Sequence, residues 1–122
     1  MKFSETHEWI IVDDQTGAVG VTDYAQKELG EIVYVELPEV GASIVSGEEA
    51  AVLESTKAAT DVYSPVSGII REVNTLLNSH PELINESPED RGWIFKLELA
   101  NKEELDALMD AEAYQASLHT QE

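Results

Sequence analysis

The chain contains no cysteine. Disulfide scaffolds, thiolate metal sites and cysteine nucleophiles are thereby excluded together, and any redox sulfur must arrive with a cofactor. Positive charge is scarce as well: 7 Lys and Arg stand against 25 Asp and Glu, a formal net charge of -18. The acids are spread along the chain, so nucleic acid and anionic membrane are poor partners. Basic patches on other proteins would be attracted instead. No apolar run approaches the roughly 20 residues that cross a bilayer. The opening MKFSETHEW has neither the apolar core of a secretory signal nor an Arg-rich amphipathic leader, so a soluble, untargeted chain is expected.

What is present is a chain of 122 residues, 43% hydrophobic, enough for one well-buried core and too short for two. A single domain over residues 1–122 is expected, with a β core over about 8–99 and a helical segment over about 101–118. Short β-branched runs between turn signals predict about seven strands. Trp9 to Val12 and Ala18 to Thr22 are the first two. In EIVYVELPEVG, Val33, Val35 and Leu37 would share one face, and GEEAAVLEST reads as a strand covered on both sides. Ala59 to Tyr63 and Ile69 to Val73 follow, and GWIFKLEL alternates with Trp93, Phe95, Leu97 and Leu99 inward.

Three segments read as helical. TDYAQKELG offers Asp23 as a cap with Gln26 three residues on, and Gly30 as the stop. VNTLLNSHPELIN predicts a short helix and a Pro-containing loop. Asn101 with Glu104 resembles a capping box, Leu105, Leu108 and Met109 form an apolar stripe, and Asp110 to Leu118 continues as a second helical piece. The pattern is α+β or a mainly β sandwich with helices.

Within this scaffold the stretch ESTKAATDVYSPVSG places Lys57 between two candidate strands, at a hairpin tip. From Glu28 to Ile70 it is the one basic residue, among Glu28, Glu31, Glu36, Glu39, Glu48, Glu49, Glu54 and Asp61. Gly41 and Gly68, each beside a proline-marked turn, would fix the projection of the hairpin. An exposed lysine on stiff strands is well placed for modification and poorly placed for catalysis, because nothing in the pattern supplies the burial or second cation that depresses a lysine pKa.

These residues, with THEWI, VGVTDYAQKELGEIVYVELPEVG, PELIN, GWIFKLEL and ELDALMDAEAY in order and spacing, resemble the H proteins of the glycine cleavage system over nearly the whole chain. The resemblance implies a barrel-sandwich hybrid of two antiparallel sheets with a lipoyl hairpin and a C-terminal helix. It implies lipoate in amide linkage to Lys57, with Glu54 helping the lipoylating enzyme to recognise the hairpin. It further implies a carrier without catalysis of its own, shuttling an aminomethyl group from a pyridoxal-phosphate glycine decarboxylase to an aminomethyltransferase that uses tetrahydrofolate. Dihydrolipoyl dehydrogenase would reoxidise the arm, and a lipoate ligase or an octanoyl or lipoyl transferase would install it. Thr6, Glu8 and Asp61 align with the shelter for the loaded arm, where carboxylates would hold a protonated amine.

The same resemblance implies a bacterial cytoplasmic protein, or a mitochondrial matrix protein in mature form, acting as a monomer. The chain departs from relatives in the SPEDRGW loop, where Glu89 takes a tyrosine's place, and at Thr56, where valine is common; the loop is expected to alter partner docking. No metal site is expected, since His7-Glu8 lacks the second histidine of a zincin motif. The rivals are a lipoate relay or interaction scaffold outside glycine cleavage, and a biotin carrier, which usually places methionines beside its lysine where Thr56 and Ala58 stand here.

Overall fold

A computed structural model describes residues 1–120. The chain opens with strands β1 (Lys2–Phe3), β2 (Glu8–Asp13) and β3 (Thr16–Val21), followed by helix α1 (Asp23–Leu29). Strands β4 (Ile32–Glu36), β5 (Ser43–Ile44), β6 (Glu49–Ser55), β7 (Ala59–Tyr63) and β8 (Gly68–Val73) come next. A 3-10 turn over Thr75–Asn78, the single-turn helix α2 (Leu83–Glu86), strand β9 (Phe95–Leu99), a second 3-10 turn over Lys102–Ala107 and helix α3 (Ala111–Thr120) complete it.

All strand pairs are antiparallel and form two sheets, one ordered β1-β2-β3-β9-β8-β5 and the other β4-β6-β7. Their inner faces meet in one apolar cluster: Ile10, Val19, Ile70 and Leu97 from the larger sheet lie with Ile32, Val35, Leu53 and Val62 from the smaller. This is the mainly β arrangement with helices that the strand pattern predicts. A second cluster, Phe3, Trp9 and Tyr114, fastens α3 to β1 and β2, with the Phe3 and Tyr114 rings stacked at 4.6 Å.

Several local expectations change for identifiable reasons. A β-bulge between Ile32 and Tyr34 interrupts the alternation of β4, so Val33 is 52% exposed while Ile32 and Val35 are buried. In β6, Ala51 and Leu53 are buried and Ala50 and Val52 half-buried, so one face is sealed and the other only partly covered. Ile94, just before β9, is fully buried, whereas Trp93 is half-buried beneath the Lys96 ammonium.

The cap of α1 is Thr22, whose hydroxyl accepts from the Ala25 N–H. Asp23 instead accepts from the Gln26 amide and pairs with Lys27 one turn on. Asn101 does cap, through Glu103 N–H, but Glu104 turns away to accept from the backbone and hydroxyl of Ser67, and the segment tightens to 3-10 geometry.

Candidate functional site

Strands β6 and β7 form a hairpin whose tip is Thr56, Lys57 and Ala58, all exposed. The tip is ordered by Ser55. Its hydroxyl accepts from the Lys57 and Ala58 backbone N–H groups, each at 3.1 Å, and donates to the Ala58 carbonyl, also at 3.1 Å. Ser55 N–H closes the turn onto the same carbonyl at 2.9 Å. On the other side, Thr56 N–H donates to the Glu31 carbonyl at 3.0 Å, which ties the tip to the chain entering β4. A turn with its donors committed in this way fixes where the lysine stem begins.

The stem lies over Gly30, the residue that ends α1. A β-carbon added to Gly30 would stand 3.3 Å from Lys57 Cε and 3.6 Å from Nζ. Gly30 has φ 83° and ψ -159°, a conformation open essentially to glycine alone. Asn85 on α2 brackets it: its amide donates to the Gly30 carbonyl at 2.8 Å and to Gln26 Oε1 at 3.0 Å, and its oxygen accepts from Ile32 N–H at 2.9 Å. The PELIN stretch thus secures the surface that Lys57 crosses.

Beyond Gly30 opens a cleft of about 420 Å³. Thr6, His7 and Glu8 form one wall, Tyr24, Glu28 and Leu29 of α1 another, and Asp61 and Tyr63 of β7 a third. Thr6, Glu8 and Asp61 are therefore brought together on one cavity. Leu29, which lines the cleft, is the residue before Gly30 in the chain. A second cavity of about 240 Å³ lies on the far side, lined by Ser4, Ser46, Ser64 and Met109, and Thr6, Glu8 and Tyr63 separate the two.

Glu8 is 2% exposed. Its Oε1 accepts from the hydroxyls of Ser4 and Thr6, and its Oε2 accepts from Tyr63 N–H at 3.2 Å. Burial pushes its pKa up from the ordinary 4.5, with the hydrogen bonds from Ser4, Thr6, Tyr63 and its own backbone opposing. Each carboxylate oxygen can take two donors, so Oε2 keeps one acceptor position. His7, at φ 71°, carries the cleft wall past Glu8 and is held by Ser4 and Thr22 through its backbone. Burial lowers its pKa, and the nearby Glu28 carboxylate acts in the opposite sense. Its Nδ1 lies 2.9 Å from the Tyr114 hydroxyl, and its ring packs on Tyr24 at 4.7 Å.

The remaining residues singled out in the sequence sit elsewhere or at the edge. Glu54 is exposed on β6, opposite Tyr34 and Ala59 and three residues before Lys57. Gly41 and Gly68 belong to the region where β5 meets β8. Gly41 N–H bonds the Ile70 carbonyl, and a β-carbon on Gly68 would stand 2.1 Å from the Glu98 carbonyl oxygen. The projection of the hairpin is set by Ser55 and strand pairing rather than by those two glycines. Glu89, in the divergent loop, is half-buried and accepts from Asp23 N–H at 3.0 Å at the start of α1, while Trp9 Nε1–H donates to the Pro88 carbonyl. Among the described residues, no group of three or more His, Asp or Glu is placed to hold a metal ion.

A two-sheet scaffold that holds an exposed lysine on a hairpin, with a mainly apolar cleft edged by carboxylates on the same molecule, has the architecture of a carrier domain. Residues 1–121 match the family model described as Glycine cleavage H-protein. The glycine cleavage system H protein of Thermotoga maritima is 52% identical over 114 residues, covering 93% of this chain and 92% of that one. The namesake from Thermus thermophilus is 50% identical over 119 residues, 98% of this chain and 93% of that one. Among solved structures, a crystal structure of a glycine cleavage system H protein from Mycobacterium marinum superposes with a TM-score of 0.89 at 33% identity, covering 97% of this chain and 95% of that one. The chain belongs to the glycine cleavage H-protein family. Its fold is the barrel-sandwich of that family, and its role is that of a lipoyl carrier in glycine cleavage, not of a catalyst.

Proposed function

We propose that Lys57 is the lipoate attachment point and that the loaded arm returns across Gly30 into the cleft walled by Thr6, Glu8 and Asp61. The observation that carries this reading is the fit between chain and group. The amine is exposed, its stem already lies on a residue without a side chain, and the adjoining cleft presents buried carboxylate. When bound, lipoate supplies a dithiolane that cycles between disulfide and dithiol and takes up the one-carbon amine. The chain's own residues do the rest. Ser55 holds the tip for a modifying enzyme, helped by the Glu54 carboxylate, and Asp61 and the open acceptor position of Glu8 receive an ammonium by charge-assisted hydrogen bonds. The walls exclude water from a cargo prone to hydrolysis.

In this reading residues 1–122 act as one monomeric domain in the bacterial cytoplasm. Its partners are glycine decarboxylase, aminomethyltransferase, dihydrolipoyl dehydrogenase, and a lipoate ligase or an octanoyl or lipoyl transferase. Tethering gives the arm an effective concentration on the order of millimolar at a docked active site. The proposal is tested by intact mass after coexpression with a lipoate ligase. A lipoyl increment that disappears in Lys57→Ala supports it; a biotin increment, or an increment that survives the substitution, defeats it. Acceptance of an aminomethyl group from glycine decarboxylase then distinguishes glycine cleavage from a lipoate relay.

A further inference from the structure

Tyr114 is 3% exposed, and its hydroxyl lies between two polar side chains: Thr22 Oγ1 at 2.7 Å and His7 Nδ1 at 2.9 Å. Its ring stacks on Phe3, so the hydroxyl is held in place from both ends. The direction of the hydrogens follows from counting them. Thr22, 1% exposed, already accepts from Ala25 N–H, and the one acceptor its own hydrogen finds among the described residues is the Tyr114 oxygen. If Thr22 donates to Tyr114, the tyrosine hydrogen goes to His7 Nδ1 and every hydrogen is used. If His7 Nδ1–H donates to Tyr114 instead, the phenol either donates to Thr22, leaving the threonine hydrogen unpaired, or accepts from both neighbours, leaving its own hydrogen unpaired. That cost favours the first order by at least about fivefold.

We propose that Tyr114 is a positioning residue that holds His7 as the neutral tautomer protonated on Nε2, in the wall of the arm cleft. This rests on the reading of the cleft as the arm shelter. The groups facing His7 are Glu5 and Glu8 from its own segment, Tyr24 and Glu28 from α1, Asp61 and Tyr63 across the cleft, and Tyr114 from α3. A charged His7 would need both ring nitrogens as donors, and so would leave one buried hydroxyl hydrogen of the relay, on Thr22 or on Tyr114, without an acceptor. Kept neutral, it adds no cation to the wall, and the surrounding carboxylates remain available to a cationic cargo.

The decisive measurement uses the unloaded full chain labelled with 15N, by long-range proton-nitrogen spectra of the imidazoles from about pH 5 to about pH 9. His7 is assigned by its loss in His7→Gln. Neutral His7 should carry its proton on Nε2 with Nδ1 a bare acceptor. In Tyr114→Phe, checked for fold by amide dispersion, the tautomers should mix and the titration midpoint rise by about half a unit or more. Thr22→Val, which removes the head of the relay but not the phenol, should also weaken the Nε2–H preference. A proton on Nδ1 in the unsubstituted chain, or a tautomer ratio indifferent to both substitutions, overturns the proposal.

In loaded protein, Tyr114→Phe should release cargo about threefold faster near pH 6, where an imidazole charges, and match the unsubstituted chain near pH 8. Equal release at both values removes the functional half of the inference. The shelter itself is judged separately: if Glu8→Gln and Asp61→Asn leave cargo retention unchanged, that reading falls, whereas the tautomer result depends on neither.

Discussion

Lys57 rests on Gly30: a single methyl group on that glycine would stand 3.3 Å from the lysine Cε. The hairpin lysine and the end of α1 are therefore one surface, although they lie 27 positions apart in the chain. Gly30→Ala should be costly twice, through the backbone angles and through the displaced stem. Loss of about 1 to 3 kcal/mol is expected from the backbone alone, read by denaturant unfolding. An unchanged stability would mean that the Gly30 conformation is not enforced.

Ser55 should matter for the hairpin far more than for the fold. Ser55→Ala leaves two backbone N–H groups at an exposed tip to water and removes the hydroxyl that bound both. Global stability should change by no more than about 1 kcal/mol, since exposed donors find solvent. Amide hydrogen exchange at Lys57 and Ala58 should accelerate about tenfold, and lipoylation should slow. Equal exchange rates would show that strand pairing alone orders the tip.

Asn85 joins α1, Gly30 and β4 through three hydrogen bonds. Asn85→Ala should cost about 2 kcal/mol, because the half-buried Ile32 N–H and Gly30 carbonyl lose their partner. Asn85→Asp restores the acceptor for Ile32 but not the two donors, and should recover only part of the loss. Full recovery would assign the stability to the Ile32 contact alone.

The pH dependence of Glu8 has a definite sign. Its folded-state pKa is raised above 4.5 by burial, so the folded chain binds more protons than the unfolded one in the window between those values. Stability should fall as pH rises through that window and level off above it. Glu8→Gln keeps an oxygen for Tyr63 N–H and an amide for the two hydroxyls, and should flatten that part of the profile. A profile unchanged by the substitution would place the proton elsewhere.

Much of this site is legible in the primary structure because its signals are local. A lone lysine between two strand-like runs marks the hairpin, and the alternation of Phe95, Leu97 and Leu99 marks the central strand that all of it rests on. The errors share a different origin. Val33 was expected inside because period-2 counting has no way to register the bulge at Ile32–Tyr34. Asp23 and Thr22 are both good caps, and the choice between them depends on where the backbone leaves β3. Tyr114 carries one usable hint, as the one phenol in the C-terminal helical segment. Its partners, 92 and 107 residues away, are set by tertiary packing alone. The contact of Glu89 with the start of α1, 66 residues away, is likewise set by tertiary packing.

The Phe3–Tyr114 stack joins the two extremities of the described chain. During synthesis the lysine hairpin and its one sheet neighbour, β4, are complete while α3 is still to be made. The brace on the cleft wall thus forms after the hairpin, and a ribosome-bound chain can expose an ordered Lys57 before Tyr114 has reached His7.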